Sequence, residues 1–248
     1  MKGLIVGVTN ESSIAWGCAK VLHEAGVELA LTYQNEKAKH YVQPLAQKLN
    51  ASVFMPLDVS KEEQMTALFD AINTQWGRLD FLIHSIAFAP KSDLQGRVVD
   101  CTKEGFLMAM DISCHSLIRL SRAAEPLMNE GGSIITMSYY GSEKVIKNYN
   151  IMGPVKAALE STVRYLAIEL GQEKIRVNAI SPGPIMTRAA SGLAHFDQLM
   201  EKAANEAPLN QLATIEAVGD MAAFLVSEKA AHITGQVLYV DDGYNICG

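Results

Sequence analysis

Residues 4–17 read Leu4-Ile5-Val6-Gly7-Val8-Thr9-Asn10-Glu11-Ser12-Ser13-Ile14-Ala15-Trp16-Gly17, an apolar run that breaks into a polar, glycine-flanked turn. Leu4 to Val8 predicts a buried strand. Ile14, Cys18, Val21, Leu22 and Ala25 then fall on one face of a helix from about Ile14 to Ala25, which Gly26 stops. A turn that opens a helix directly after a strand presents free backbone N–H groups and the positive end of the helix dipole, an arrangement suited to a pyrophosphate. Gly7 and Gly17 permit close approach there. The middle glycine of G-x-G-x-x-G is absent, and Ser12 or Ser13 stands where a hydroxyl caps the helix and meets phosphate.

Outward from this turn the same alternation repeats. Strands are expected at Glu28–Tyr33, Ser52–Pro56, Phe81–Ser85, Ser133–Met137, Arg176–Ile180 and Gln236–Val240. Helices are expected at 36–49, 61–76, 102–128, 150–170 and 214–227. Strands separated so regularly by helices pair in parallel through right-handed crossovers, which cover both faces of the sheet. The expectation is one α/β domain over residues 1–248: a Rossmann-like, doubly wound, seven-stranded parallel sheet with helices on both faces. Ligands of such a sheet lie beyond the carboxyl ends of its strands, at the switch point.

Composition narrows the function classes. A net charge of −6 with no clustered Lys and Arg excludes a nucleic-acid partner. No apolar run reaches the roughly 20 residues of a membrane span, so no membrane association is expected. Met1-Lys2-Gly3 runs straight into Leu4-Ile5-Val6 without the cleavage region of a signal peptide, so the chain is expected to begin at a structural strand and to work in the cytoplasm. Cys18, Cys101, Cys114 and Cys247 are scattered, with no metal-ligand spacing; they read as small hydrophobes in a reducing compartment, with no metal.

The strand ends carry the first functional signal. Gln34, Asp58-Val59 and Ser85-Ile86-Ala87 fall on the edge of the sheet that also holds Gly7, and would line one groove with it. In a dinucleotide site the strand-two residue selects the cofactor: an acid binds the ribose hydroxyls, an arginine the extra phosphate of NADP. Gln34 is neither, and the nearest basic residue is Lys37, which favours NADH over NADPH. Asp58 could start a helix with no ligand, but Asp58-Val59 at a strand end suits an adenine amino group better.

The second signal follows strand five: Ser138-Tyr139-Tyr140, then Tyr149 and Lys156, seven residues apart. At roughly 100° per residue, seven residues return to nearly the same helix face, so one face presents a phenol and an ammonium. A free tyrosine titrates near 10, and a neighbouring ammonium favours its anion. Tyr140 and Lys144 form the Tyr-x-x-x-Lys spacing of many carbonyl reductases, but Lys144 lies in a polar stretch, 141–147, too close to strand five for the interior of a helix.

With the Gly7–Gly17 turn, Thr32-Tyr33-Gln34-Asn35, His84-Ser85-Ile86-Ala87-Phe88-Ala89-Pro90, Ser138-Tyr139, Tyr149-x6-Lys156 and residues 177–185 in this order, nearly the whole chain resembles the bacterial enoyl-[acyl-carrier-protein] reductases of the short-chain dehydrogenase/reductase superfamily. The resemblance implies reduction of a trans-2-enoyl thioester on acyl carrier protein, the last step of fatty acid elongation, by hydride transfer from NADH through an enolate. It implies that Tyr149 hydrogen-bonds the thioester oxygen, that Lys156 holds the nicotinamide ribose, and that Tyr139 lines the site or assists proton delivery. It further assigns Gly7, Ser13, Ile14, Gln34, Asp58, Val59, Ser85, Ile86, Ile185 and Thr187 to the cofactor, and Ala89, Tyr139, Tyr149 and Met152 to the substrate. A substrate-covering segment is expected at about 186–207, with Leu193, Phe196 and Met200 on its apolar side.

Relatives of this kind assemble as homotetramers through the helices at 102–128 and 150–170, where Ala157, Ala158 and Ala167 would pack against a copy. Two departures stand out. Ala87 replaces a glycine common in the family. Ala194, Asp197 and Gln198 occupy positions where basic residues meet an acidic carrier; Arg188, His195 and Lys202 are partial substitutes, and a coenzyme A thioester is the alternative substrate form. A carbonyl reductase and a non-catalytic nicotinamide sensor are the rival readings.

Overall fold

The computed structural model describes residues 1–187, 190, 193 and 196–247. Seven parallel strands form one sheet in the order β3-β2-β1-β4-β5-β6-β7: β1 (Lys2–Val6), β2 (Glu28–Tyr33), β3 (Val53–Pro56), β4 (Phe81–His84), β5 (Gly132–Met137), β6 (Ile175–Pro182) and β7 (Val237–Val240). The order reverses between β1 and β4, whose pairing ends at Val6 opposite His84.

The apolar runs have a structural reason. Side chains alternate across a strand, so a sheet covered on both faces needs hydrophobes at every position. In β1, Leu4 and Val6 enter one core while Ile5 enters the other. In β4, Leu82 faces the first core and Phe81 and Ile83 the second. The first core is closed by α3 (Glu62–Trp76), α6 (Ser116–Ala124) and α7 (Met152–Leu170), through Leu68, Leu117 and Leu159 among others. The second is closed by α1 (Ile14–Glu24), α2 (Glu36–Lys48) and α9 (Ile215–Val226), through Leu22, Val42 and Leu225. Each such fully buried leucine contributes about 1.5–3 kcal/mol by leaving water.

Side chains fix where several helices start: Asn35 accepts the Ala38 N–H at 2.9 Å and Thr214 that of Ala217 at 3.1 Å. Among the described residues, no helix is long and apolar enough to cross a membrane. All four cysteines are free.

Three expectations need correction. The helix expected over 102–128 is not continuous: α5 (Lys103–Met110) passes through a π-helical turn at Asp111–His115, with the Ser116 N–H reaching back to the Asp111 carbonyl, before α6 and a 3-10 turn at Glu125–Leu127. Sequence periodicity cannot resolve one extra residue in a turn. A short helix, α4 (Lys91–Leu94), interrupts what reads as loop. Ala167 faces the first core rather than outwards, while Ala157 is exposed. The covering segment contains α8 (Phe196–Glu206); Arg188, Ala194 and His195 lie outside the described residues.

Candidate active site

Two cavities adjoin at the carboxyl edge of the sheet. The first, of about 340 Å³, lies over the switch point and is lined by Gly7, Ser13, Ile14, Gln34, Asp58, Val59, Ser85, Ile86, Lys156 and Thr187. The second, of about 420 Å³, is mostly apolar and includes Ala89, Tyr139, Tyr149, Met152, Ile185, Leu193 and Phe196. Ile14, Ala87, Phe88, Ser138 and Thr187 belong to both walls. Every residue expected at the cofactor lies on the first cavity except Ile185, which lines the second. Met200 lines neither.

The first cavity has the backbone turn and the donors of a dinucleotide site. Gly7 has φ +109°, and a Cβ there would sit 2.0 Å from the Ser85 carbonyl oxygen. Only glycine lets β1 turn away so close to β4. Ser13 is the N-cap residue of α1, yet its hydroxyl does not cap the helix: it donates to the Asn10 carbonyl at 2.7 Å and accepts the Thr9 N–H at 3.4 Å. The hydroxyl therefore shapes the turn, and the first turn of α1 stays uncapped by a side chain, as an anion site requires. Asp58 does not start α3, whose N-cap is Lys61; it accepts the Ser60 N–H (3.0 Å) and hydroxyl (2.7 Å) at Oδ1 in the turn before the helix while lining the cavity. Gln34 is exposed at the rim. Ala87 is exposed between the two cavities and does not adopt positive φ.

Lys156 enters from α7, and its Nζ donates to the Met137 carbonyl at 2.6 Å. It is 4% exposed. Burial lowers its pKa to about 8, against the opposing pull of Glu160 and Cys114. It stays predominantly an ammonium at neutral pH.

Tyr149 does not share a helix with Lys156. It sits in the turn before α7, so the two side chains meet the site through a loop and a helix rather than through helical phase. Its ring stands edge-to-face to Tyr139 with centroids 4.8 Å apart. Burial, reinforced by Tyr139 and Glu160, drives the Tyr149 phenol well above the ordinary tyrosine range; burial does the same for Tyr139. Both phenols are therefore neutral donors. The Tyr139 hydroxyl is buried without a hydrogen-bond partner among the described residues, as expected of a donor awaiting a ligand.

Tyr140 and Lys144 point elsewhere. Tyr140 packs with Tyr244 and Tyr239, the Lys144 ammonium lies 5.8 Å from its ring centre, and neither residue lines either cavity.

Beneath the strand ends, fully buried His84 joins Thr136 (Nδ1, 2.8 Å) and Ser116 (Nε2, 2.8 Å). The Ser116 hydroxyl already donates to the Ile112 carbonyl at 2.6 Å, so His84 must donate from Nε2 and accept at Nδ1. Burial, assisted by Lys156, pushes its pKa down to about 3. The loop that carries α4 is held by Asp93, which accepts the Thr102 N–H (2.6 Å) and hydroxyl (2.9 Å).

A family profile described as "Enoyl-(Acyl carrier protein) reductase" matches residues 7–245. This chain belongs to that family. It is 49% identical to the enoyl-[acyl-carrier-protein] reductase [NADH] of Rickettsia felis over 247 residues, covering 100% of this chain and 95% of the relative. The crystal structure of the NADH enzyme of Aquifex aeolicus matches with a TM-score of 0.97 at 48% identity, covering 100% of this chain and 97% of that one. The Anaplasma phagocytophilum reductase in complex with NAD matches at 0.96 and 46% identity, covering 100% and 94%. The chain is thus an oxidoreductase of the expected fold.

Sequence reasoning missed several wall residues of this enoyl reductase. Phe88, Lys91 and Leu94 line the apolar cavity, and Ile112, from the π-helical turn, lines the polar one. It also missed Glu160, although a carboxylate four residues after Lys156, between the apolar Leu159 and Val163, was a readable signal.

Proposed function

We propose that this enoyl reductase saturates trans-2-enoyl thioesters carried by acyl carrier protein, with NADH, as the last step of the elongation cycle of fatty acid synthesis. The observation that carries this reading is the pair of protonated phenols, Tyr139 and Tyr149, in an apolar cavity that shares a wall with the polar cavity of Lys156. Bound NADH supplies a hydride to the β-carbon of the substrate. The thioester oxygen then gains the charge of an enolate, and the Tyr149 phenol donates to it in a site from which water is largely excluded. Tyr139 supports that donor from its edge and assists delivery of the proton that the α-carbon collects. Lys156, anchored on the Met137 carbonyl, holds the ribose hydroxyls. Leu193 and Phe196 cover the acyl chain from one side and Met152 from another.

The partner surface has a second reading. The exposed start of α8 presents Asp197 and Gln198, and Lys202 is spent on Glu206 at 3.7 Å within the same helix. These residues do not attract an acidic carrier, which makes coenzyme A thioesters the substrate form to test beside it. Assembly into a homotetramer is supported by the exposed Phe106, Leu107 and Met108 of α5 and Tyr165 and Ile168 of α7. A cytoplasmic setting is supported by the free thiols.

The test is the loss of reduced-nicotinamide absorbance with trans-2-enoyl thioesters on acyl carrier protein and on coenzyme A, each with NADH and NADPH, and with a simple ketone as control. Oxidation of NADH driven by the enoyl thioester is expected. Activity on the ketone alone would establish a carbonyl reductase, and binding of NADH without turnover a sensor.

A further inference from the structure

Glu160 is 5% exposed and lies one helical turn beyond Lys156 on α7. One of its oxygens accepts two hydroxyls, from Ser138 and, at 2.7 Å, from Ser142. Those serines bracket Tyr139, Tyr140 and Gly141, so a single carboxylate fixes both ends of the loop that follows β5. Lys156 takes hold of the same chain one residue earlier, at the Met137 carbonyl.

The loop so held touches both phenols of the site. Tyr139 is part of it. A Cβ at Gly141 would stand 2.4 Å from the Tyr149 ring, so the backbone between the two serines lies directly against Tyr149.

We propose that Glu160 is a positioning residue of the reductase, which clamps the loop of Tyr139 against the helix of Lys156 and sets a carboxyl group one helical turn from the Lys156 ammonium. A buried carboxylate is costly to hold, and here the hydroxyls of Ser138 and Ser142 offset that cost. Other groups face Lys156: His84 from β4, Cys114 from the π-helical turn, and the phenols of Tyr139 and Tyr149 at the neighbouring cavity. Burial keeps the imidazole uncharged at working pH and the phenols protonated. Glu160 and, less strongly, Cys114 oppose the desolvation that favours the neutral amine.

The proposal rests on Lys156 as the group that holds the cofactor ribose, and the test keeps the two claims apart. Glu160→Gln preserves an oxygen able to accept both hydroxyls and removes only the charge. NADH affinity and kcat/KM would be measured from pH 6 to 9.5, with fold checked by circular dichroism. The variant is expected to resemble the parent at pH 6.5 and to lose its alkaline limb about one pH unit earlier, roughly a tenfold weaker NADH affinity at high pH. An unmoved limb would overturn the electrostatic half.

The double change Ser138→Ala with Ser142→Ala leaves the charge and removes the clamp. It is expected to lower kcat at least tenfold with the limb in place, and unchanged kcat would overturn the positioning half, even if the glutamine variant did not fold. Cys114→Ala in the same titration separates the thiol, since a limb that moved with it would reassign the control of Lys156 to Cys114. Lys156→Ala tests the underlying reading: unaltered NADH affinity would remove the ribose role whatever Glu160 does.

Discussion

His84 offers a prediction whose size follows directly from its surroundings. It is fully buried, donates from Nε2 to Ser116, accepts from Thr136, and has its pKa lowered from 6.5 to about 3, first by burial and then by Lys156. A folded-state pKa below the unfolded one means that the unfolded chain binds the proton more readily. The stability contribution is therefore complete above pH 6.5 and is lost progressively as pH falls toward 3. Between pH 7.5 and pH 5.0 the loss amounts to about 1.5 units, or roughly 2 kcal/mol, at 1.36 kcal/mol per unit. Carboxylates contribute a slope of their own, so the measurement is a difference. Wild type and His84→Gln, which keeps a donor and an acceptor without a titration near neutrality, would be unfolded in urea at pH 7.5 and 5.0 at one protein concentration. The wild type is expected to lose roughly 2 kcal/mol more than the variant over that interval. Equal losses would refute the account of a histidine held neutral by burial and would imply that the imidazole takes up its proton in the folded protein.

Three further outcomes are expected. Tyr149→Phe should lower kcat by about 10²–10³-fold, the effect of removing one oxyanion donor, with NADH affinity retained in a fluorescence titration; full turnover would remove Tyr149 from the reaction. Gln34→Arg places a guanidinium at the exposed rim of the polar cavity and should shift the kcat/KM ratio toward NADPH; an unchanged ratio would mean that selectivity resides elsewhere. Gly7→Ala forces a side chain into a left-handed conformation and against the Ser85 carbonyl, and should weaken NADH binding and lower the denaturation midpoint together, whereas a normal midpoint with normal binding would contradict the close approach.

The sheet was legible because each strand feeds two cores and is therefore apolar at every position, a pattern that Leu4-Ile5-Val6 shows without any knowledge of its neighbours. The strand-end residues were legible for a related reason: parallel strands bring their carboxyl ends to one edge, so Gln34, Asp58 and Ser85 could be placed together before their distances were known. What lay beyond reach depended on chain segments that do not repeat. Ser13 looks like a cap, but whether its hydroxyl turns toward the helix or back to Asn10 is decided by the turn conformation. Tyr149 and Lys156 were read as one helical face, when the phenol stands in the preceding turn; the spacing was informative and its geometric reading was not. Glu160 escaped notice because its partners, Ser138 and Ser142, come from the loop after another strand.

The π-helical turn at Asp111–His115 has a consequence for insertions and deletions. It accommodates one residue more than an α-helix would within a single turn, so the helical segments on either side keep their phase. Deleting one residue from the turn would restore a regular helix from Lys103 to Ala124 without rotating its two halves against each other. Phe106, Leu107 and Met108 would keep their outward direction, and Leu117 and Leu120 their places in the core. The change would be confined to the turn itself, where Ile112 would lose its place in the wall of the polar cavity, so the extra residue shapes the cavity and not the packing of the domain.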